Sequence, residues 1–90
     1  MYDLIFTSSA ISDIKFLKKT DKAAYRKVGK LLEELRIHPK SGTGKPKIKK
    51  HNLAGLYSRR ITKKHRLVYL INDLEIFVHI ISAKGHYGDK

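Results

Sequence analysis

Arg60, Arg66, His86 and Tyr87 are the residues whose types and positions best suit chemistry. Arg60 alternates with Ile61 in a strand-like run, so an inward Ile61 turns Arg60 outward. Arg66 opens the next apolar run, across a short connection. His86 and Tyr87 follow Gly85, which can turn the chain. This set fits phosphodiester chemistry on RNA. An arginine fork matches two phosphate oxygens. A histidine near its unperturbed pKa of ~6.5 exchanges a proton at neutral pH. A tyrosine stacks on an unpaired base. RNA carries its own nucleophile, the 2′-OH. Cleavage by internal attack therefore needs a base, an acid and cations on the phosphate, with no metal and no water. The plainer reading of the same residues is two surface charges and a packed strand end.

Other chemistries find less support. The histidines stand at His38, His51, His65, His79 and His86, with no i, i+3 or i, i+4 pair and no adjacent carboxylate pair, so no metal site is expected. A Ser-His-Asp triad is equally unsupported. Gly42-Thr43-Gly44-Lys45 is half of a phosphate-binding loop, with no strand directly before it. There is no cysteine, which excludes disulfides and thiolate metal sites. No cofactor is expected.

The charge points to the partner. Twenty Lys and Arg against eight Asp and Glu leave a formal +12 on 90 residues. Such an excess favours a polyanion: nucleic acid, an anionic membrane or an acidic protein. No acid occurs between residues 36 and 72. That window holds Arg36, Lys40, Lys45, Lys47, Lys49, Lys50, Arg59, Arg60, Lys63, Lys64 and Arg66, with His38, His51 and His65. Local potential decides where a polyanion lands, so the window is a sharper signal than the net charge. A solvated basic face that only keeps the chain soluble is the bland alternative. No stretch approaches the ~20 apolar residues of a membrane span, and no signal-peptide pattern opens the chain. The expected compartment is the cytoplasm.

These residues need a scaffold, and residues 1–90 read as one domain with apolar residues at an ordinary 41%. Tyr2 to Thr7 alternates as a strand, with Tyr2, Leu4 and Phe6 on one face. Ser8 or Ser9 is the expected cap of a helix to about Lys18, with Ala10, Ile14 and Leu17 inward and Ile11 beside them. Thr20 is the expected cap of a second helix, with Asp21 in its first turn. Ala24, Val28, Leu31, Leu32 and Leu35 form its stripe, and Pro39 ends it. Gly29 suggests close contact between helices. About two residues join the helices into an antiparallel hairpin. Residues 41–46 read as a loop, Lys47 to His51 as a short strand, and 52–55 as a turn. Tyr57 to Thr62, His65 to Ile71 and Leu74 to Ala83 read as strands joined by tight hairpins at Lys63-Lys64 and Asn72-Asp73. The last is apolar on both faces, which places it centrally. The expected fold class is α+β: a two-layer β-α-α-β4 domain with the helical hairpin on one face of a mostly antiparallel sheet.

The same residues carry a family resemblance. Lys50-His51-Asn52-Leu53-Ala54-Gly55, Tyr57-Ser58-Arg59-Arg60-Ile61-Thr62 and His65-Arg66-Leu67-Val68-Tyr69 resemble the YoeB/Txe branch of the RelE/ParE toxin superfamily. The Gly42-Thr43-Gly44-Lys45-Pro46 loop and the His86-Tyr87 pair fit as well. The resemblance implies a RelE-like domain and a toxin of a type II toxin–antitoxin pair, one that enters the ribosomal A site and cuts mRNA there. The implied partners are an acidic antitoxin, the 70S ribosome and mRNA, and operator DNA only through the antitoxin. No membrane partner is implied, and a homodimer stays open.

Carried over by position, Arg66 matches the phosphate-stabilising arginine and Arg60 a second arginine of the cleft. His86 matches the general acid, and Tyr87 the tyrosine that contacts the substrate base. Lys45, Lys49, Lys50, His51, Arg59, Lys63 and Lys64 are the expected RNA- and ribosome-contacting groups. The family's general base is a glutamate directly after the Gly-Lys-Pro loop. Here that position is Lys47. A protonated lysine cannot accept the 2′-OH proton; it can do so only where surrounding cations depress its pKa. The alternative is an impaired homologue that binds ribosome or antitoxin without cutting. A gyrase poison of the same fold is a third reading, against which the His86-Tyr87 ending argues.

Overall fold

The computed structural model describes residues 1–40, the backbone of 47–48, and residues 56–83. Seven elements follow one another: β1 Asp3–Phe6, α1 Ser8–Thr20, α2 Lys22–Ile37, β2 Lys47–Ile48, β3 Leu56–Arg60, β4 Arg66–Asn72 and β5 Phe77–Ser82. The five strands form one sheet in the order β1-β5-β4-β3-β2. All pairs are antiparallel except β1 with β5, which is parallel. The two helices pack on one face of this sheet, giving the expected two-layer α+β fold.

The helix ends explain the hairpin. α1 is capped by Thr7 rather than by Ser8 or Ser9: extended backbone at Thr7 lets its Oγ1 accept from the Ala10 amide at 2.9 Å. The helix runs to Thr20, whose hydroxyl donates back to the Phe16 carbonyl. The cap of α2 is Asp21, accepting from the Ala24 amide at 3.0 Å, not Thr20. Asp21 closes α1 and opens α2 at once, so a single residue makes the turn. α2 stops at its C-cap His38, as Pro39 requires.

Alternation sets the layers. Leu4, Phe6, Ile61, Leu67, Tyr69, Val78 and Ile80 face the helices and meet Ala10, Leu17, Ala24, Val28, Leu31 and Leu35. Ile14 and Leu32 border that core, whereas Ile11 falls outside it and is exposed. The other sheet face carries Ile5, Ser58, Arg60, Arg66, Val68, Leu70 and His79, by the same alternation and register.

The final hairpin departs from expectation. β5 starts at Phe77, not Leu74. Asp73–Ile76 form a four-residue turn in which Asn72 Oδ1 accepts from the Glu75 amide. Leu74 is 95% exposed, and Ile76 takes φ 56. Apolar content there extends the strand pattern on paper, but the turn claims those residues. β5 lies inside the sheet, flanked by β1 and β4, while β4 takes the centre. β2 is described over Lys47–Ile48, and residues 49–51 of the expected strand lie outside the described residues.

A solvent-facing staple holds the sheet end. Tyr2 Oη donates to Asp73 Oδ1 at 2.7 Å, and Lys40 Nζ pairs with Asp73 Oδ2 at 3.0 Å. The Tyr2 hydrogen bond, then that of Lys40, lowers the Asp73 carboxyl below its ordinary range. The Asp73 hydrogen bond is also the main cause that raises both Lys40 and Tyr2.

Two expectations follow. The Cβ of an alanine at Gly29 would meet nothing within 4 Å, so this glycine serves no close helix contact. Gly29→Ala should stabilise the chain by about 0.5–1 kcal/mol, read as a higher midpoint in urea. A lower midpoint would show hidden packing there. The staple's contribution is present above the unfolded Asp value and is lost as pH falls through the lowered folded one. On the Lys40 and Tyr2 side it is present below their unfolded values and lost as pH rises through the raised folded ones. The Asp73 carboxyl should titrate by NMR below a free aspartate, and Asp73→Asn should return Lys40 and Tyr2 toward ordinary values. An Asp73 midpoint at the free value would remove the staple.

Candidate functional site

β3 and β4 are locked in register by their shared turn. The Ile61 and Thr62 amides both donate to the His65 carbonyl, and Thr62 Oγ1 accepts from the Lys64 and His65 amides. That register sets Arg60 directly opposite Arg66 and Ser58 opposite Val68. Arg60 is exposed, whereas Arg66 is 8% exposed. The Arg66 Nε donates to Ser58 Oγ at 3.3 Å, which lays the guanidinium along the sheet. Among the described residues no carboxylate pairs with either arginine. Like charges directly opposite destabilise a sheet. The register places both arginines on the sheet face away from the helices.

Around this pair the expected groups divide. Lys63 and Lys64 sit exposed in the β3–β4 turn, at the same end of the sheet as Arg60 and Arg66. Lys47 joins through its backbone: β2 pairs with β3, with Lys47 opposite Ser58. His86, Tyr87, Lys45, Lys49, Lys50 and His51 lie outside the described residues. The chain that leads to His86 leaves β5 at a defined point. Ser82 is opposite Val68, two residues from Arg66, after a bulge that shifts the register between Val68 and Tyr69.

Arg59 is a correction. Expected on the RNA-contacting surface, it is fully buried on the helix side. Alternation forces this: with Arg60 outward, Arg59 points inward beside Tyr69. There Nε donates to Tyr69 Oη at 3.0 Å and Nη1 pairs with Glu34 Oε1 at 3.0 Å, while Nη2 donates to the His38 carbonyl. Tyr69 Oη donates in turn to the Pro39 carbonyl at 2.9 Å. Burial raises the Tyr69 phenol, and the Arg59 hydrogen bond opposes that shift. The Tyr57 ring stacks on Tyr69 with centroids 5.9 Å apart.

Two contributors carried no signal as site residues. Ser58 supports Arg66, and only its alternation with Arg60 marks its face. Asp13 on α1 accepts from the Ala83 amide at 3.0 Å and fixes the chain just past β5. A lone acid on a helix gives no hint of a partner 70 positions away. Among the described residues no group of three or more His, Asp or Glu is placed to hold a metal ion. No described helix is long and apolar enough to cross a membrane.

The family model described as "YoeB-like toxin of bacterial type II toxin-antitoxin system" matches residues 6–87. Toxin YoeB of Escherichia coli K12 is 39% identical over 84 residues, 93% of this chain and 98% of that protein. A YoeB/ParE toxin from Agrobacterium tumefaciens superposes with a TM-score of 0.86 at 34% identity, over 94% of this chain and 99% of that one. A chain of the YoeB-YefM complex from Staphylococcus aureus gives 0.80 at 36% identity, over 97% and 99%.

Asp13→Ala leaves the Ala83 amide, at a fully buried residue, without its acceptor. The expected cost is about 1–3 kcal/mol by urea denaturation. An unchanged midpoint would show that the amide finds another partner.

Proposed function

The chain belongs to the YoeB-like toxins of bacterial type II toxin–antitoxin systems, and from that premise we propose that it is a ribosome-dependent mRNA endoribonuclease acting in the cytoplasm. The observation that carries this reading is the Arg60–Arg66 pair. Two cations face each other across β3 and β4 with no described carboxylate between them. Their mutual repulsion is relieved when a phosphate sits on both, and relieved most as negative charge grows on its oxygens.

The reaction is an internal displacement. The 2′-OH of one nucleotide loses its proton and its oxygen bonds to the adjacent phosphorus. The P–O5′ bond breaks, and the leaving oxygen takes a proton. The products are a 2′,3′-cyclic phosphate and a 5′-OH, so atoms and charge balance without an outside nucleophile. Arg60 and Arg66 hold the phosphate, with Ser58 orienting Arg66. His86 donates the proton to the 5′ oxygen, and Tyr87 stacks on a base. Lys47 occupies the base position. Two residues separate Ala83 from His86, so three chain steps give a covalent reach of up to ~10 Å from the end of β5, which allows His86 to approach Arg66. Lys45, Lys49, Lys50, His51, Lys63 and Lys64 bind RNA and the ribosome. The antitoxin is an acidic chain laid across this basic face, blocking it by charge complementarity. A YoeB-YefM complex exists for the Staphylococcus aureus relative.

A second reading rests on Lys47. A protonated amine at the base position makes the chain a binding module that occupies the A site, or its antitoxin, with little cutting. Purified protein in a translating extract, with cut sites mapped by primer extension, tests both. The ribonuclease reading expects codon-phased cuts, weakened about 10²–10³-fold in Arg66→Ala. No cuts at any concentration would overturn it. Lys47→Glu then separates the readings: a rise of orders of magnitude marks the present chain as impaired, and a fall marks Lys47 as a working base.

A further inference from the structure

Three successive residues of β3 address three different places. Ser58 faces the side of the sheet away from the helices, where it is buried against Arg66, and its backbone pairs with Lys47. Arg60 faces the same side. Arg59, between them, reaches through to the helix layer, where its guanidinium is fully buried. Among the described residues its donors go to Tyr69 on β4, Glu34 on α2, and the carbonyl of His38, the C-cap of α2. The Tyr69 hydroxyl holds the next carbonyl, that of Pro39. The exit of α2 is thus tied to β3 and β4 by two consecutive carbonyls. Nine positions after His38 the chain rejoins β3 at Lys47. Both ends of the 38–47 segment are therefore fixed on the strand that carries Arg60, one by Arg59 and the other by the backbone pairing of β2.

We propose that Arg59 is a positioning residue for the reaction on the sheet face away from the helices: it anchors the exit of α2 so that Lys47 keeps its register with the Arg60–Arg66 pair. The proposal rests on the ribonuclease reading for its catalytic consequence. A charge buried at this depth persists only with its acceptors in place, so the clamp holds one geometry rather than a range. It also does what an apolar residue at 59 cannot. Leucine or methionine would fill the space but leave the His38 carbonyl and Tyr69 hydroxyl without their partner. Lysine brings the charge but not the planar fork that reaches three acceptors.

The experiment uses the full chain with Arg59→Met, Arg59→Lys and Glu34→Gln. Glu34→Gln keeps the shape and a carbonyl acceptor, and so secures the test if Arg59→Met does not fold. Amide hydrogen exchange is followed by residue, and single-turnover cleavage and ribosome affinity are measured beside it. In Arg59→Met, exchange at residues 38–48 should rise at least about tenfold while Val78 and Ile80 stay protected. Cleavage should fall about 10- to 100-fold with ribosome affinity changed by less than about threefold. Arg59→Lys and Glu34→Gln should fall between this variant and the parent. A uniform rise in exchange across the sheet, with cleavage lost only in proportion to unfolded protein, would reduce Arg59 to a stabilising residue and overturn the proposal. So would unchanged exchange at 38–48. If the parent chain cuts no RNA, the ribonuclease reading fails by itself. The exchange pattern then decides the clamp alone: a local rise keeps it, and no rise ends it.

Discussion

A fully buried guanidinium is the constraint around which the rest of this fold is arranged. Arg59 removes a cation from water and meets a carboxylate, a phenol and a backbone carbonyl in its place. Burying a charge is costly unless every donor is satisfied. The surroundings of Arg59 are therefore not free to vary: α2 must end at His38, Tyr69 must point under the helices, and Glu34 must face the sheet. Once those are set, alternation along β3 leaves Arg60 no choice but the opposite face. The inward arginine of the Arg59-Arg60 dipeptide thus fixes the outward one.

Charge in the sequence and charge in space differ for the same reason. The window from 36 to 72 contains no acid, yet among the described residues at least two of its cations are paired with carboxylates from outside it. Glu34 lies just before the window and takes Arg59; Asp73 lies just after it and takes Lys40. Among the described residues of the window, Arg60, Lys63 and Lys64 stay exposed at one end of the sheet, with Arg66 nearly buried beside them.

Much of this was legible in the residues. The 3.6-residue stripe of Ala24, Val28, Leu31 and Leu35 gave α2, and period-two alternation gave β1 and β3, because each period maps onto one buried face. The outward placement of Arg60 followed from Ile61 alone. What failed were choices between neighbours. Thr7, Ser8 and Ser9 can all cap a helix, as can Thr20 and Asp21, and only the path of the preceding chain selects among them. Leu74 and Ile76 continue an apolar pattern that the hairpin turn interrupts. Arg59 misled because arginine at a surface is the rule, and its exception depends on a carboxylate 25 positions away. Long-range partners such as Asp13 with Ala83 leave no local trace at all.

The parallel pairing of β1 with β5 has a consequence for how the chain is made. Asp3 to Phe6 align with Phe77 to Ile80, and Tyr2 with Asp73, Thr7 with Ile81 and Asp13 with Ala83 close over 71, 74 and 70 positions. Among the described residues, β1 has no neighbour in the sheet until β5 emerges. Contacts of such separation form late, after the loop-closure entropy has been met. An unfinished chain therefore carries the arginines of β3 and β4 on a sheet that still lacks both β5 and β1. Closure of the sheet is therefore coupled to the emergence of β5, the one strand against which β1 pairs among the described residues.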